Sequence, residues 1–466
     1  LGVLQFFAII NIKCLALEDN PDKYNILSQD KNYLNTAFIT SKILEKEICN
    51  YNIKYIVMSP GIDFSKNQNI QKLLSRGAEI ISDIQIAKLF YPNANFIGIT
   101  GTNGKSTTTA LTSFILDKLG FSNHLCGNIG KSPLDIFHKN SEHKHNNHKH
   151  KNHKHKNHKI NFVVEISSYQ AVMINFKFDY TLFINITPDH IERHGNFINY
   201  LKTKARFVLN SKNYAINVDD KNIFDYFKKL SICGKIFNKI LGFKKSMFFS
   251  NNKVLKQGLC VLKSGLYYNS QKVSDINEFE NLIGSHNMQN IASALSIIIL
   301  FLNKNKVKIN FLELLNIVKQ FKSLEHRIEF VKEINNVKYY NDSKATNVQS
   351  CEVALQCFDN IVLLVGGVKK QEGIEYFFDK QYFHTKVKYL IFYGQCGEEF
   401  YNLAKSSNIN IKSILCLDLN DSVLQARKVA TPKDIVLLSP CCASFDQFKN
   451  FEHRGEVFKQ IVNNLH

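Results

Sequence analysis

The sequence predicts an α/β protein built from three domains. The chain has 466 residues, apolar runs of strand length alternate with helical patterns, and a glycine-rich turn joins one such run to a helix. A chain of this length is too long for one hydrophobic core and suggests about three domains. The apolar runs are bounded by Gly, Pro or Asp, which is typical of parallel strands buried on both faces.

Two breaks divide the chain. The first is at Pro92, in the segment FYPNAN that leads into the apolar run Phe96–Ile99. The second lies near residues 322–327, after helical patterns at Asn287–Leu302 and Phe311–Phe321. The predicted domains are residues 1–92, 93–322 and 323–466. The elements predicted for the third domain are strands Val337–Tyr340, Ile361–Val365, Tyr389–Tyr393 and Ile435–Ser439, helix Leu419–Val429 and a final helix.

Composition excludes some partners. The net charge of +19 would suit a nucleic-acid-binding protein, but the lysines are scattered among Asn and Ile, without Arg clusters or interleaved aromatic residues. We therefore expect no nucleic-acid partner. No C-x-x-C spacing occurs, which indicates reduced thiols in the cytoplasm. The opening LGVLQFFAII is too short to span a bilayer and has no basic n-region, so we predict a core helix and no membrane association.

Residues 141–159 form an insertion within the second domain, rich in His, Lys and Asn. Its repetitive part, residues 143–159, has no apolar side chain and cannot form a core, so we expect a disordered loop. Its histidines can bind Zn²⁺, Ni²⁺ or Cu²⁺ weakly. Repeat expansion in a tolerant surface loop is the simpler interpretation, because the tract has no Cys or carboxylate to define a coordination geometry.

The segment Thr100–Thr107, TGTNGKST, follows Phe96–Ile99 and precedes a predicted helix, Thr107–Leu119. A strand, a glycine-rich turn and a helix N-terminus place backbone N–H groups around a phosphate, so ATP is the first expected ligand. Lys105 would supply a positive charge and Ser106 a hydroxyl for Mg²⁺. The strict P-loop spacing is not met, since Ile99 stands where the first glycine belongs. The alternative is a helix start that contains Gly-Lys-Ser by coincidence.

Two further polar residues stand at the ends of apolar strands. Glu165 lies at the end of the strand Phe162–Ile166, and His190 follows another strand in FINITPDH. Ligands gather at the carboxyl ends of parallel strands. A carboxylate and an imidazole would add to Ser106 and phosphate oxygens in a Mg²⁺ site. Taken singly, Glu165 could be a surface acid and His190 a turn residue.

Lys204 lies in the helical stretch Asn199–Leu209, near Lys202 and Arg206. By pattern alone, this arrangement indicates a solvated helix face.

Asp342, Lys344 and Thr346 crowd into NDSKATN, between a predicted strand and helix. Helix capping explains an Asp and a Ser at such a place, but not a Lys. We therefore expect this cluster to hold an anionic group.

Together these segments resemble one family. TGTNGKST, GNIG at Gly127–Gly130, EISSYQ, NITPDHIERH, GSHNMQN, LEHRIE, NDSKATN and SPCCASFDQFKNFEHRG are similar, in this order and over nearly the whole chain, to the motifs of the ATP-dependent Mur ligases. The phosphate loop is shared with folylpolyglutamate synthases, whereas the C-terminal motif is the most specific. The last two motifs resemble the branch that adds D-glutamate to UDP-N-acetylmuramoyl-L-alanine.

The resemblance implies an enzyme of three domains: an N-terminal Rossmann-like domain for the uridine nucleotide, a central P-loop ATPase-like domain with a parallel sheet, and a C-terminal Rossmann-like domain. It implies ATP, two Mg²⁺ ions and a carbamylated Lys204 as cofactors, and an acyl-phosphate intermediate. We expect a cytoplasmic monomer that makes a peptidoglycan precursor.

The resemblance also assigns residues. Those implied for ATP are Gly101, Thr102, Asn103, Gly104, Lys105, Ser106, Thr107, Asn287, Asn290, Arg327 and Asp342. Those implied for Mg²⁺ are Ser106, Glu165, His190 and Lys204. The implied catalytic residues are Lys105, Glu165, His190 and Lys204. Those implied for the UDP substrate and D-glutamate are Asp19, Ser59, Pro60, Gly61, Asn128, Lys344, Thr346, Lys370, Ser444 and Phe451.

The first domain departs from the family pattern. The family begins with a strand and a glycine-rich turn, whereas Leu1–Ile12 resembles its first helix and the chain does not begin with Met. We expect a chain that is truncated at its start, either a fragment or a misplaced start. Two other functions stay open: another Mur ligase or folylpolyglutamate-synthase-like ligase, and a degenerate homologue that binds ATP without ligating.

Overall fold

The computed structural model describes residues 2–33, 35–47, 50, 52–58, 62, 66–130, 132–135, 159–232, 246–276, 279, 282, 284–369, 373–407 and 409–465. The predicted insertion, apart from Lys159, lies outside the described residues. The chain forms two compact units: Leu1–Ile276 with Gln289–Ile317, and Asn277–Met288 with Val318–His466. The predicted domain boundaries after residues 92 and 322 stay a prediction.

The strands are β1 (Cys14–Leu17), β2 (Thr36–Ile39), β3 (Tyr55–Val57), β4 (Glu79–Ile81), β5 (Asn95–Thr100), β6 (Asn123–Gly127), β7 (Asn161–Glu165), β8 (Phe178–Phe183), β9 (Ser211–Asn217), β10 (Ser246–Ser250), β11 (Leu259–Leu262), β12 (Gly265–Tyr268), β13 (Gln271–Ser274), β14 (Glu329–Ile334), β15 (Val337–Asn341), β16 (Ile361–Gly366), β17 (Val387–Tyr393), β18 (Lys412–Leu415) and β19 (Ile435–Leu438).

The helices are α1 (Gly2–Ile9), α2 (Pro21–Ser28), α3 (Ser41–Glu47), α4 (Gln68–Ser75), α5 (Asp83–Phe90), α6 (Lys105–Lys118), α7 (Ser168–Met173), α8 (Ile191–His194), α9 (Phe197–Leu209), α10 (Lys221–Ile232), α11 (Ser285–Lys304), α12 (Phe311–Gln320), α13 (Val348–Leu355), α14 (Gln381–Lys386), α15 (Gly397–Ser406), α16 (Leu419–Val429) and α17 (Phe451–Asn463). Within the described part of the chain, no helix is long and apolar enough to cross a membrane.

The first unit begins with two small parallel sheets, β1–β2 and β3–β4. Helix α1 confirms the prediction of a core helix, since Phe6 is fully buried and its ring meets Phe90 edge to face at 5.0 Å. Helix α5 ends at Phe90, close to the predicted break.

A nine-stranded sheet of order β13-β12-β11-β10-β9-β8-β5-β7-β6 forms the main part of the first unit. Its strands from β6 to β11 are parallel, which confirms the parallel sheet predicted around the phosphate loop. The far edge differs, because β11, β12 and β13 pair antiparallel. The turn after β12 consists of Asn269 and Ser270, both with positive φ, which is the turn geometry that suits a two-residue hairpin.

Strand β5 lies inside this sheet, and all six of its residues are buried. Phe96 stacks on Phe162 of the neighbouring β7 with ring centroids 4.8 Å apart. A Cβ atom at Gly98 would lie 2.6 Å from the Phe207 ring, so only glycine allows helix α9 to pack this closely on β5. The strand is therefore fixed on both faces, and the loop at its carboxyl end has a rigid base.

The second unit contains a six-stranded sheet of order β14-β15-β19-β16-β17-β18. All neighbours are parallel except β14 and β15, which form a hairpin. Strand β16 is buried along its whole length, with apolar clusters on both faces of the sheet. The elements predicted for this part of the chain are confirmed to within two residues at each boundary.

Candidate active site

The predicted phosphate loop connects β5 to α6. Gly104 occupies the N-cap of α6 with φ of +78°, and a Cβ atom there would overlap Asn290 Oδ1. A left-handed backbone and a close neighbour both require glycine at this position. The loop is held from its other side by Asn185, whose Oδ1 accepts from the backbone N–H of Thr102 (3.1 Å) and of Asn103 (2.8 Å).

Lys105 extends across this loop. Its Nζ donates to the carbonyl oxygens of Gly101 at 3.0 Å and Thr102 at 2.6 Å. The ammonium therefore lies on the loop itself, where the charge of a bound phosphate would be neutralised. Asn290, a predicted ATP residue, accepts from Thr108 Oγ1 of α6 at 3.3 Å, so helix α11 packs directly behind the loop.

Glu165 is the last residue of β7 and is only 1% exposed. Its Oε1 accepts from Asn128 Nδ2 at 2.8 Å, and its Oε2 is buried with no hydrogen-bond partner among the described residues. A buried carboxylate oxygen that lacks a donor is costly unless a cation satisfies it. Glu165 therefore fits a Mg²⁺ ligand. Asn128, predicted to contact the UDP substrate, orients this carboxylate.

Lys204 contradicts the prediction of a solvated helix face. Its side chain is 1% exposed, and Nζ donates to Thr100 Oγ1 at 3.2 Å and to Gly101 O at 2.9 Å. Lys202 and Arg206 are exposed on the opposite face of α9, so the pattern was right for them alone.

Burial lowers the pKa of Lys204 well below its ordinary value, and the positive charge of Lys105 lowers it further. The carboxylates of Asp189 and Glu165 act in the opposite direction, which shows that all four groups are within electrostatic reach of one another. Relative to an exposed lysine, the Lys204 amine is thus shifted toward its neutral form, the form that has a free lone pair.

His190 stands in a strained turn before α8, with φ of +50°. Its Nδ1 lies 3.1 Å from the Tyr169 hydroxyl, and its Nε2 lies 3.5 Å from Asp189 Oδ2. The imidazole is partly exposed, so a ligand can reach it.

No group of three or more His, Cys, Asp and Glu residues with the geometry of a metal site occurs in the described part of the chain. A Mg²⁺ site built here would take few protein ligands and complete its shell with phosphate oxygens and water, which is the usual arrangement for this ion. Glu165 with its unpartnered oxygen fits such a site.

Four residues near the loop were missed by sequence reasoning: Tyr169, Asn185, Asp189 and Tyr200. Three of them lie inside the motifs EISSYQ and NITPDHIERH, which was the available signal. Tyr200 is buried, its hydroxyl lies 3.1 Å from Thr102 Oγ1, and burial raises its pKa to about 12. The only sequence signal for Tyr200 was its position one helical turn before Lys204.

In the second unit, Asp342 follows β15 and is buried. Its Oδ2 accepts from Ser439 Oγ at 2.7 Å, and its Oδ1 accepts from the Ile328 N–H at 3.3 Å. Burial raises the pKa of this carboxyl group to about 7, against the opposing effects of Ser439 and Arg327. The Nε atom of Arg327 is buried without a hydrogen-bond partner in the described structure. Two residues predicted for ATP thus lie within electrostatic reach of each other.

Arg454, which sequence reasoning did not select, is fully buried beneath these loops. Its guanidinium donates to Ser343 Oγ (2.9 Å), Ser343 O (2.8 Å), Gly366 O (3.3 Å) and Cys442 O (3.1 Å). The three acceptor segments leave the carboxyl ends of β15, β16 and β19. The segment FEHRG in the C-terminal motif was its only signal.

The structure brings together two of the motifs that were predicted to bind D-glutamate. Lys344 Nζ lies 5.3 Å from the centre of the Phe451 ring, and Ser343 Oγ donates to Phe451 O at 2.8 Å. Ser444 is buried in the loop after β19, and the Thr346 N–H donates to Lys344 O at 2.9 Å. These side chains lie at the carboxyl edge of the sheet, where a ligand of such a fold binds.

The remaining predicted residues are less informative. Asp19 accepts from the N–H and hydroxyl of Ser41 at 2.7 and 2.6 Å, which lowers its pKa and anchors the start of α3. Asn287 is buried at the start of α11. The predicted residues outside the described part of the chain are Ser59, Pro60, Gly61 and Lys370.

Comparison with known proteins identifies the family. Residues 99–298 match the Mur ligase middle domain, and residues 326–442 match the Mur ligase, glutamate ligase domain. A protein from Rickettsia bellii is 31% identical over 464 residues, which cover 96% of this chain and 94% of that protein. The chain belongs to the Mur ligase family.

Two of the similar curated proteins carry the same name. The Rickettsia bellii protein and one from Caldicellulosiruptor saccharolyticus, 34% identical over 88% of this chain and 84% of its own length, are both named UDP-N-acetylmuramoylalanine--D-glutamate ligase. Among solved structures, the UDP-N-acetylmuramate-alanine ligase MurC of Thermotoga maritima matches with a TM-score of 0.54 at 13% identity, over 97% of this chain and 99% of that one. At this identity the structural match establishes the Mur ligase fold alone.

Proposed function

We propose that this enzyme adds D-glutamate to UDP-N-acetylmuramoyl-L-alanine at the expense of ATP, a cytoplasmic step in the synthesis of peptidoglycan precursors. The observation that carries the chemistry is the convergence of Lys105, Glu165 and Lys204 on the glycine-rich loop. The curated relatives, which align over most of their length, support D-glutamate as the amino acid.

A carboxylate is a poor acyl donor, which explains the need for ATP. The alanine carboxylate of the substrate attacks the γ-phosphorus, ADP leaves, and an acyl phosphate forms. The amine of D-glutamate then attacks the acyl carbon, inorganic phosphate leaves, and the amine loses a proton. Lys105 and the loop N–H groups neutralise the transferring phosphoryl group, which is the main contribution a protein makes to this reaction.

Magnesium, when bound, would supply Lewis-acid stabilisation of the phosphate oxygens. Ser106 and Glu165 would hold one ion, and His190 with a carbamylated Lys204 a second. In its neutral form, toward which burial shifts it, the Lys204 amine can attack CO₂ to form a carbamate with loss of a proton, which converts a buried base into an oxygen ligand. The carbamate would thus supply the oxygen ligand that a buried Asp or Glu side chain would otherwise have to provide.

We propose further that the chain works as a monomer with three domains, as the resemblance implies. The first would take the uridine nucleotide through Asp19 and residues 59–61. The residues proposed for D-glutamate are Thr346, Lys370, Ser444 and Phe451, and Lys344 is proposed as a further substrate-binding residue. A lysine with neighbouring hydroxyl groups suits a dicarboxylate, because charged hydrogen bonds are the strong ones.

Phosphate release by the purified chain tests the assignment. With UDP-N-acetylmuramoyl-L-alanine and Mg-ATP, phosphate should appear with D-glutamate and not with L-glutamate, glycine or meso-diaminopimelate. Lys105→Ala is the control for contaminating ATPases. Release with one of the other amino acids and none with D-glutamate would make this chain a different ligase. ATP binding without release in any reaction would support the degenerate homologue.

A further inference from the structure

Tyr169 makes a contact that the proposed chemistry does not yet use. Its hydroxyl oxygen lies 3.1 Å from Nδ1 of His190, the imidazole proposed as a Mg²⁺ ligand. The other ring nitrogen, Nε2, lies 3.5 Å from Asp189 Oδ2, longer than an ordinary hydrogen bond. Nε2 and Asp189 Oδ2 are therefore within ion-pair distance without an ordinary hydrogen bond, and Nδ1 also lies 3.7 Å from Glu192 Oε1.

Two side chains contact the Tyr169 ring, and a capping box fixes its backbone. The guanidinium of Arg193 lies 5.5 Å from the ring centre, and the His194 ring stacks on it at 6.1 Å with an interplanar angle of 11°. Below it, Ser167 and Gln170 form a reciprocal capping box at the start of α7, which fixes the backbone that carries Tyr169. The hydroxyl is therefore a fixed partner for the imidazole.

A neutral imidazole has one N–H donor and one lone pair, so the partner of one nitrogen decides what the other can bind. We propose that Tyr169 is a positioning residue: its hydroxyl accepts a hydrogen bond from His190 Nδ1–H and so reserves the Nε2 lone pair for a divalent cation. This inference rests on the proposed function only for the identity of that cation as catalytic Mg²⁺. Groups that orient a ligating histidine in this way typically contribute 10–100-fold in metal affinity.

The reverse arrangement makes a different prediction. If Tyr169 instead donated to Nδ1, the His190 proton would lie on Nε2, facing Asp189, and the imidazole could not bind a cation through that atom. The tautomer of His190 thus decides between the two. It can be measured without any turnover.

The experiment uses the full chain labelled with ring-¹⁵N histidine, with the His190 signals assigned by their loss in His190→Gln. In the wild-type protein the ring signals should show the Nδ1–H tautomer, and Tyr169→Phe, which removes only the hydroxyl, should shift the population toward Nε2–H. Tyr180→Phe is the matched control, because it removes a hydroxyl whose partner is Asn305, at 3.3 Å. It should leave the His190 signals unchanged.

A second readout is Mn²⁺ binding, followed by electron paramagnetic resonance with a non-hydrolysable ATP analogue. Tyr169→Phe should weaken one class of Mn²⁺ site about tenfold, and Tyr180→Phe should not. An Nε2–H tautomer in the wild type, or equal Mn²⁺ affinity in Tyr169→Phe and wild type, would overturn the proposal. Neither measurement needs D-glutamate, so a failure of the proposed ligase activity would be seen separately, in the phosphate-release assay.

Discussion

Replacing Lys204 in two ways separates a structural lysine from a chemical one. Lys204→Ala removes most of a side chain that is 1% exposed, whereas Lys204→Met keeps its apolar length and removes the amine. Each buried methylene contributes about 0.8 kcal/mol, so the alanine variant should lose about 2–3 kcal/mol of unfolding free energy. The methionine variant should stay within about 1.5 kcal/mol of the wild type, because its volume is nearly conserved.

The pH dependence has a definite sign. In protein whose Lys204 carries no carbamate, burial lowers the folded-state pKa of this amine, so the folded protein binds fewer protons than the unfolded chain at pH values between the two pKa values. Stability therefore rises with pH through this window, up to the ordinary lysine value of 10.5. Lys204→Met should lack this contribution, which denaturant unfolding at several pH values would detect.

Activity should fall in both variants regardless of stability. If a carbamate on Lys204 stabilises charge in the transition state, D-glutamate-dependent phosphate release should drop by about 10²-fold or more, the scale of losing one such group. Acetate or propionate should partly restore Lys204→Ala, which has room for a carboxylate, and not Lys204→Met, whose side chain fills that space. Near-wild-type turnover in Lys204→Ala, or equal rescue of both variants, would refute the reasoning.

Three further predictions concern single substitutions in the candidate site. Glu165→Gln keeps the contact with Asn128 but loses the charge, so the Mg²⁺ concentration for half-maximal phosphate release should rise at least about tenfold; an unchanged Mg²⁺ dependence would remove Glu165 from the metal site. Gly104→Ala places a Cβ atom against Asn290 in a backbone of φ +78°, which costs about 1–2 kcal/mol. Binding of a fluorescent ATP analogue should weaken about tenfold or more, and wild-type affinity would contradict the loop geometry. Because the folded-state pKa of Asp342 is raised to about 7, the stability of the second unit should fall in the wild type as the pH rises from about 4 to about 7. Asp342→Asn should abolish this fall. One pKa unit corresponds to about 1.4 kcal/mol, so the wild-type change is of the order of 4 kcal/mol, measurable by hydrogen exchange of β15 and β19 amides; equal slopes in both proteins would exclude Asp342 as its source.

The sequence predicted best where local and long-range signals agree. The run before Gly101 is apolar because β5 is buried on both faces, and the glycine-rich turn and helix α6 follow at the predicted places. Glu165 was selected because the ends of parallel strands meet at one edge, a rule of topology that needs no coordinates. Asp342 and Lys344 were selected differently, because helix capping explains an Asp and a Ser in NDSKATN but not a Lys.

Two kinds of feature escaped prediction. Lys204 shares its helix with the exposed Lys202 and Arg206. A charge pattern cannot show that only Lys204 is buried, because its hydrogen-bond acceptors, a hydroxyl and a carbonyl oxygen, lie in a distant part of the sequence. The antiparallel strands β12 to β14 were not predicted. In the structure, the turns Asn269-Ser270 and Asn335-Asn336 join β12 to β13 and β14 to β15, and all four residues have the positive φ of tight hairpin turns. Arg454 has no pattern of its own, because its four acceptors come from segments that only the fold brings together.

The buried position of Arg454 has a consequence for how this unit can change in evolution. Its guanidinium donates hydrogen bonds to Ser343, Gly366 and Cys442, which lie in three separate segments of the chain. The first and the last of these residues are about a hundred positions apart in the sequence. A substitution that moves one loop leaves a donor without a partner in the protein interior, which costs more than the bond it breaks. We therefore expect replacements in these loops to be epistatic: one that is harmful alone becomes neutral after a matching change in another, and the order in which they arise decides which lineages can accept them.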